Sequence, residues 1–378
     1  DLHKEYRRQR QMCIRDSPII AKEEDQDEAC YRQFYEEAIS LCRQKRFHEA
    51  LEKCRYTSLD DEEEYSIDVI QPEKIEFKQN SYEDGENSII SFPEFLLLVL
   101  DVCTGGEQPA SHYQPDKLIE KFDALKTYFT AGEFYEKMLY YRLLLDYYTI
   151  RRDIKDGQGN YSLILKGPKD DSDKLKQYQS MLYVSTEAFY NWLKPYLRKL
   201  EQDELHSCAE MLAFLKKGDN ERHSILPARK DLSYKASGNI RYWFWRLDYY
   251  LWEQRSTFFN EEEQKIVEHY VFRRNRSIEH LHPQDESHNE EWEEEAVHSF
   301  GNLAMISQSF NSQQSNDHIQ IKFARIHEQI SNKSLQSIKM FLMCKLADFN
   351  YQNWTMKLAK EHENEMIEFL ERSFYISD

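Results

Sequence analysis

Glycine and proline are scarce in this 378-residue chain, with 10 and 9 residues. That scarcity argues against a turn-rich all-β fold and against a long disordered linker, and favours helix. The seven cysteines (Cys13, Cys30, Cys42, Cys54, Cys103, Cys208, Cys344) include no C-x-x-C pair. They read as reduced, mostly buried thiols, with neither a disulfide framework nor a zinc site. The longest apolar stretch, Phe95 to Leu100, is far too short to span a bilayer. No stretch reads as a signal peptide, and a cytoplasmic location without a membrane partner is expected. Positive charge is also in deficit, with a formal net charge of -18. A nucleic-acid partner would therefore need a local basic patch.

What the chain does have is apolar material for a sizeable core, 40% hydrophobic and 14% aromatic. The stretch "YRRQRQMCIRDS", Tyr6 to Ser17, reads as translated sequencing-adapter sequence. Residues 1–17 are therefore left out of the fold reading, and the natural protein is expected to extend further upstream. Residues 18–89 read as a helical and irregular segment, 90–260 as a helical domain, and 261–378 as a third region with C-terminal helices.

Helical spacing appears from Glu28 to Cys54, then in "ISFPEFLLLVLDVC" (Ile90 to Cys103), where Phe92-Pro93 suits a helix start. Further helices are expected over Lys117–Thr130, Glu133–Ile150, Asp173–Asn191 and Glu201–Lys217. "DGQGN", Asp156 to Asn160, is a turn. Gly218 to Gly238 reads as a charged loop. In Asn239 to Arg255, Trp243, Leu247 and Leu251 recur every four residues and mark a core helix. "SLQSIKMFLMCKLADF" and "WTMKLAKEHENEMIEFLERSF" give two more helices near the C-terminus.

One insert, from about Tyr270 to Asn316, breaks this helical pattern. "SIEHLHPQ" (Ser277 to Gln284) is a short strand carrying an acid beside an imidazole. "FGNLAMIS" (Phe300 to Ser307) is a second strand, and "NSQQSN" (Asn311 to Asn316) suits a helix N-terminus. Strand, strand and helix can bring Glu279, His280, Asn302 and Asn311 together. A hard cation such as Mg²⁺ takes a few carboxylate or amide oxygens plus water and phosphate, and a histidine can activate water near neutral pH. Each residue also has an ordinary reading: Asn302 as turn chemistry, Asn311 as a helix cap. Adjacent side chains of a strand face opposite ways, so Glu279 and His280 converge only with a twist or bulge. His282 and His298 read as polar surface residues.

The pattern Glu279-His280-x-x-Pro283-Gln284, then Gly301-Asn302-Leu303, then Asn311-Ser312-x-x-Ser315-Asn316, resembles the HNH (His-Me finger) nuclease domain of GmrSD-type restriction endonucleases. The opening and the offset from Asn302 to Asn311 are also similar to those of the HNH domain in CRISPR effector nucleases. The resemblance implies a mainly α fold, a helical shell with an embedded small ββα-metal finger. It implies a metal-dependent DNA endonuclease of a bacterial restriction or phage-defence system, using Mg²⁺ or Mn²⁺. Its implied roles are His280 as general base, Asn302 orienting it, Glu279 and Asn311 as metal ligands, and Lys322 on phosphate. Arg273, Arg274 and Arg276 precede the first motif and are candidate DNA contacts. Members of the family carry an upstream nucleotide-hydrolysing domain with an Asp-Gly-Gln-Gln-Arg motif, which nothing here matches, and such a domain is an expected partner. The competing reading is a non-catalytic nucleic-acid-binding or helical interaction module that keeps the finger for its shape.

Overall fold

The structure is a computed structural model and describes residues 27–56, 85–154, 161–169, 172–185, 187–238, 240–273, 276–284, 292–307 and 319–375. It is mainly helical, with two small antiparallel sheets. The chain divides into two compact units: Asp1–Ser172 with Ala188–Met211, and Asp173–Glu187 with Leu212–Asp378. Among the described residues no helix is long and apolar enough to cross a membrane. The described cysteines are free, and Cys42, Cys54, Cys208 and Cys344 are buried.

In the first unit the Phe92–Cys103 helix starts where Phe92-Pro93 predicts. Ser91 and Glu94 form a reciprocal capping box that satisfies two of the orphan N–H groups. Apolar on most sides, this helix buries Phe95 and Leu97 to Leu100. A three-stranded sheet, β1 (Gly85–Ser88), β2 (Arg151–Ile154) and β3 (Tyr161–Ile164), was not expected from the sequence. Burial does not alternate along β2 or β3, so neither carries a period of two. Residues 155–160 between β2 and β3, which include the expected turn, lie outside the described residues.

The helices expected over Asp173–Asn191 and Glu201–Lys217 are replaced by three: Ser172–Val184, Phe189–Glu201 and Cys208–Arg222. The middle helix buries Trp192, Leu193, Tyr196, Leu197 and Leu200 at helical spacing and carries Pro195 inside it. A proline inside a helix removes one backbone donor, and the burial of these apolar side chains outweighs that cost. The expected loop from Gly218 is likewise helical up to Arg222.

The second unit is organised by the Arg241–Glu253 helix, in which every residue from Tyr242 to Trp252 is buried. Such all-round burial requires partners for its charged members. Arg246 pairs with Asp219 at 3.1 Å and donates to the Ser373 hydroxyl at 3.0 Å and the Asn220 side chain at 2.7 Å. Asp219 also accepts from the Tyr178 hydroxyl at 2.8 Å and the Tyr242 hydroxyl at 2.7 Å. Strands β4 (Arg276–His280) and β5 (Leu303–Ser307) form a two-stranded antiparallel sheet. Leu303 to Ile306 are all buried, so both faces of β5 are covered. Ala304 and Ile306 pack with Ile319, Phe323 and Ile326 of the Ile319–Ser331 helix and with Met340 and Met343 of the Ile338–Leu346 helix. The two strands and the Ile319–Ser331 helix make a small ββα element inside a helical shell, as expected.

Candidate active site

His280 is the last residue of β4 and pairs in register with Leu303. Its ring lies 2.9 Å from the Gln284 amide nitrogen through Nδ1 and 3.1 Å from His298 Nδ1 through Nε2. An amide nitrogen only donates, so Nδ1 accepts, and Nε2 carries the hydrogen and donates to His298. Only 4% of His280 is exposed. Burial, then the neighbouring His298 and the Lys322 charge, push its pKa down to about 3. The imidazole is therefore neutral around pH 7 and keeps a lone pair.

The loop before the Arg241–Glu253 helix supplies a wall. The Tyr234 ring meets His280 edge-on at 4.5 Å and stacks on His298 at 5.8 Å. The Tyr234 N–H donates to the His298 carbonyl at 3.0 Å. Lys235, next in sequence, pairs with Glu294, and burial is the first cause that lowers the His298 pKa, with Lys235 second.

Glu279 faces the other way, as strand alternation demands. It is buried against the Ile319–Ser331 helix, where Lys322 donates to Glu279 Oε1 and, at 2.7 Å, to the His280 carbonyl. Sequence reasoning gave Lys322 a phosphate, but the structure gives it these two oxygens and leaves it 3% exposed. The helix buries Ile319, Lys322, Phe323 and Ile326, a spacing that turns the lysine toward the sheet. Lys322 also acts electrostatically on the His280 ring, so acid, lysine and imidazole share one electrostatic neighbourhood.

Asn302 is wholly buried with its amide fully bonded. Oδ1 accepts from the His282 N–H at 2.8 Å and from Trp354 Nε1 at 3.1 Å. Nδ2 donates to the His282 and Val297 carbonyls, each at 2.9 Å. The Asn302 carbonyl accepts the Leu281 N–H at 2.9 Å. Asn302 thus holds the backbone on either side of the histidines, while the His280 imidazole itself is held by Gln284 and His298. Gly301 is required by close approach: a Cβ there would lie 2.1 Å from the Ala359 carbonyl oxygen of the Met356–Arg372 helix. Lys339 completes the cradle by donating to the carbonyls of Phe300 at 2.8 Å and Leu303 at 2.6 Å.

The reading of His282 and His298 as surface residues is corrected, since both are buried. His282 stacks on Trp292 at 4.1 Å, and His298 meets His280. The only sequence signal for His298 was its place three residues before Gly301. Arg273 is exposed, as a DNA contact requires. Asn311 and Arg274 lie outside the described residues, as does the Arg276 side chain, whose backbone pairs with Ser307. Among the described residues no group of three or more His, Cys, Asp or Glu side chains is arranged to hold a metal. Mg²⁺ sites do not need such a cluster, since water and substrate phosphate complete them.

Residues 221–369 match the family described as GmrSD restriction endonucleases, C-terminal domain. Searches of curated proteins and of solved structures return no match. The matched stretch contains β4, β5, the Ile319–Ser331 helix and every described residue of the histidine site. Over residues 221–369 this chain is therefore similar to the C-terminal domain of the GmrSD restriction endonucleases.

Proposed function

We propose that the chain is a metal-dependent DNA endonuclease of a restriction or phage-defence system, hydrolysing phosphodiester bonds at His280. The observation that carries this reading is a buried, neutral imidazole at the end of β4, inside a stretch that matches a restriction-endonuclease family. In this reading His280 Nδ1 takes the proton from the attacking water. Gln284, exposed, lies on the Nδ1 side and yields to that water. Asn302 and Lys339 fix the backbone that carries the imidazole. Arg273, with Arg274 and Arg276, holds the DNA backbone, together with the exposed Arg229, Lys230 and Lys235 beside Tyr234.

Of the two oxygen donors the resemblance implies, the Glu279 carboxylate is buried, faces away from the His280 ring and is engaged by Lys322, so a hard cation there would have to displace that ammonium; Asn311 would add an amide oxygen. A Mg²⁺ or Mn²⁺ ion held by Glu279 and Asn311 supplies, when bound, charge neutralisation at the scissile phosphate. The Glu279–Lys322 ion pair also favours the second reading, a nucleic-acid-binding finger kept for its shape, because it engages the carboxylate.

Plasmid nicking separates the two readings. The full chain is expected to nick supercoiled DNA only with Mg²⁺ or Mn²⁺. His280→Ala, folded by circular dichroism, is expected to lose about 10²-fold or more, the share a general base supplies. Equal cutting by His280→Ala, or no metal-dependent cutting by the wild type, would sink the hydrolase.

A further inference from the structure

We propose that His298 is a positioning residue for His280: its Nδ1 accepts the His280 Nε2–H, which keeps the Nδ1 lone pair aimed at the Gln284 side, where the attacking water enters. This role rests on the reading of His280 as the general base.

The direction of the chain of hydrogen bonds decides the tautomer. The Gln284 amide nitrogen donates to His280 Nδ1 at 2.9 Å, and His280 Nε2 then donates to His298 Nδ1 at 3.1 Å. His298 in turn carries its own hydrogen on Nε2. A neutral imidazole can be a base only at the nitrogen without a hydrogen. Were the hydrogen on Nδ1, the Gln284 side of the ring would carry a donor and the lone pair would point at the buried His298.

His298 is itself held in place by two independent contacts. Its backbone carbonyl takes the Tyr234 N–H at 3.0 Å, and its N–H reaches the Glu294 carbonyl at 3.2 Å at the end of the short Glu294–Val297 helix. Tyr234 covers both rings. When water gives up its proton, the O–H bond breaks and the proton lands on Nδ1, while the Nε2 hydrogen stays where it was. The imidazolium so formed keeps a charge-assisted hydrogen bond to a neutral acceptor.

The test uses the full chain labelled with ¹⁵N histidine, without metal, near pH 7, with His280→Gln assigning the His280 signals. Wild-type His280 is expected as the Nε2–H tautomer. His298→Leu removes the acceptor and is expected to give mixed tautomers. It should also lower kcat for nicking, by up to about 10²–10⁴-fold, the share a general base supplies, with KM for DNA within about twofold. His298→Asn places an amide oxygen near the former Nδ1 and is expected to regain most of the rate and the Nε2–H form. A wild-type Nδ1–H tautomer overturns the proposal even if no variant folds. So does His298→Leu with wild-type kcat and an unchanged tautomer. Retained cutting in His280→Ala is a separate failure: it removes the base assignment itself, whatever the tautomer.

Discussion

Asn302→Asp changes the side chain by one atom and is expected to be among the most damaging substitutions near the site. In the native protein Nδ2 bridges the His282 and Val297 carbonyls, each at 2.9 Å. In the variant an oxygen stands there, and three acceptors face one another in a site of zero exposure. Two carbonyls lose their donor, at about 1–3 kcal/mol each. An ionised carboxylate would cost several kcal/mol more, so the group protonates and recovers one donor. The net expectation is a loss of about 3–5 kcal/mol at neutral pH, set against total stabilities of roughly 5–15 kcal/mol. Urea unfolding followed by tryptophan emission measures it, and Trp354 donates into the same amide. The pH dependence has a definite sign. Full burial and the two carbonyls facing the new oxygen raise the native pKa of the new carboxyl above about 3.9, and outweigh the two N–H donors that Oδ1 keeps. Between those values the native form binds the extra proton, so the penalty must shrink as pH falls. A variant within about 1 kcal/mol of wild type, or a penalty that grows on acidification, would refute the role of Asn302 as a backbone lock.

Gly301→Ala places a Cβ 2.1 Å from the Ala359 oxygen and 2.8 Å from Glu363 Cβ, where about 3.3 Å is an ordinary close approach. The Met356–Arg372 helix must then retreat by about 1 Å at an overpacking cost of about 1–3 kcal/mol, and an unchanged melting temperature would contradict this. Lys322→Met leaves the buried Glu279 carboxylate without its Lys322 partner and is expected to cost about 3–5 kcal/mol, most of it regained in the Glu279→Gln/Lys322→Met double variant. Thermal melts of the single and double variants close that cycle. The His280 pKa of about 3 lies below the ordinary value of about 6.5. Between them only the unfolded chain takes the proton, so stability is lost as pH falls below about 6.5, by about 1.4 kcal/mol per pH unit. His280→Gln should flatten the slope of stability between pH 6.5 and 5, and an equal slope in both proteins would contradict the assignment.

The parts of the site legible in the sequence are those encoded locally. Glu279-His280 and Leu303 to Ser307 lie on strands where the sequence put them, and Gly301 and Asn302 sit at a turn. The helix start at Phe92-Pro93 likewise lies where the sequence placed it. Partners distant in sequence were not legible. His280 meets His298 across 18 residues and Glu279 meets Lys322 across 43. Nothing in the alternation of β4 says which basic or aromatic residue will cover it. The Ile319, Phe323, Ile326 spacing did carry a hint, since it places Lys322 on the inward side of its helix, yet a lysine there reads as solvent-facing by residue type alone.

The fully enclosed guanidinium of Arg246 sets a limit on how the nuclease-like portion can be trimmed. Arg246 lies within 221–369, but Asp219, Asn220, Tyr178 and Ser373 all lie outside those limits. A fragment cut at the family boundaries would carry a cation into its interior stripped of its counter-ion, a defect of about 3–5 kcal/mol. Minimal versions for screening or gene fusion should therefore begin upstream of Tyr178 and run past Ser373.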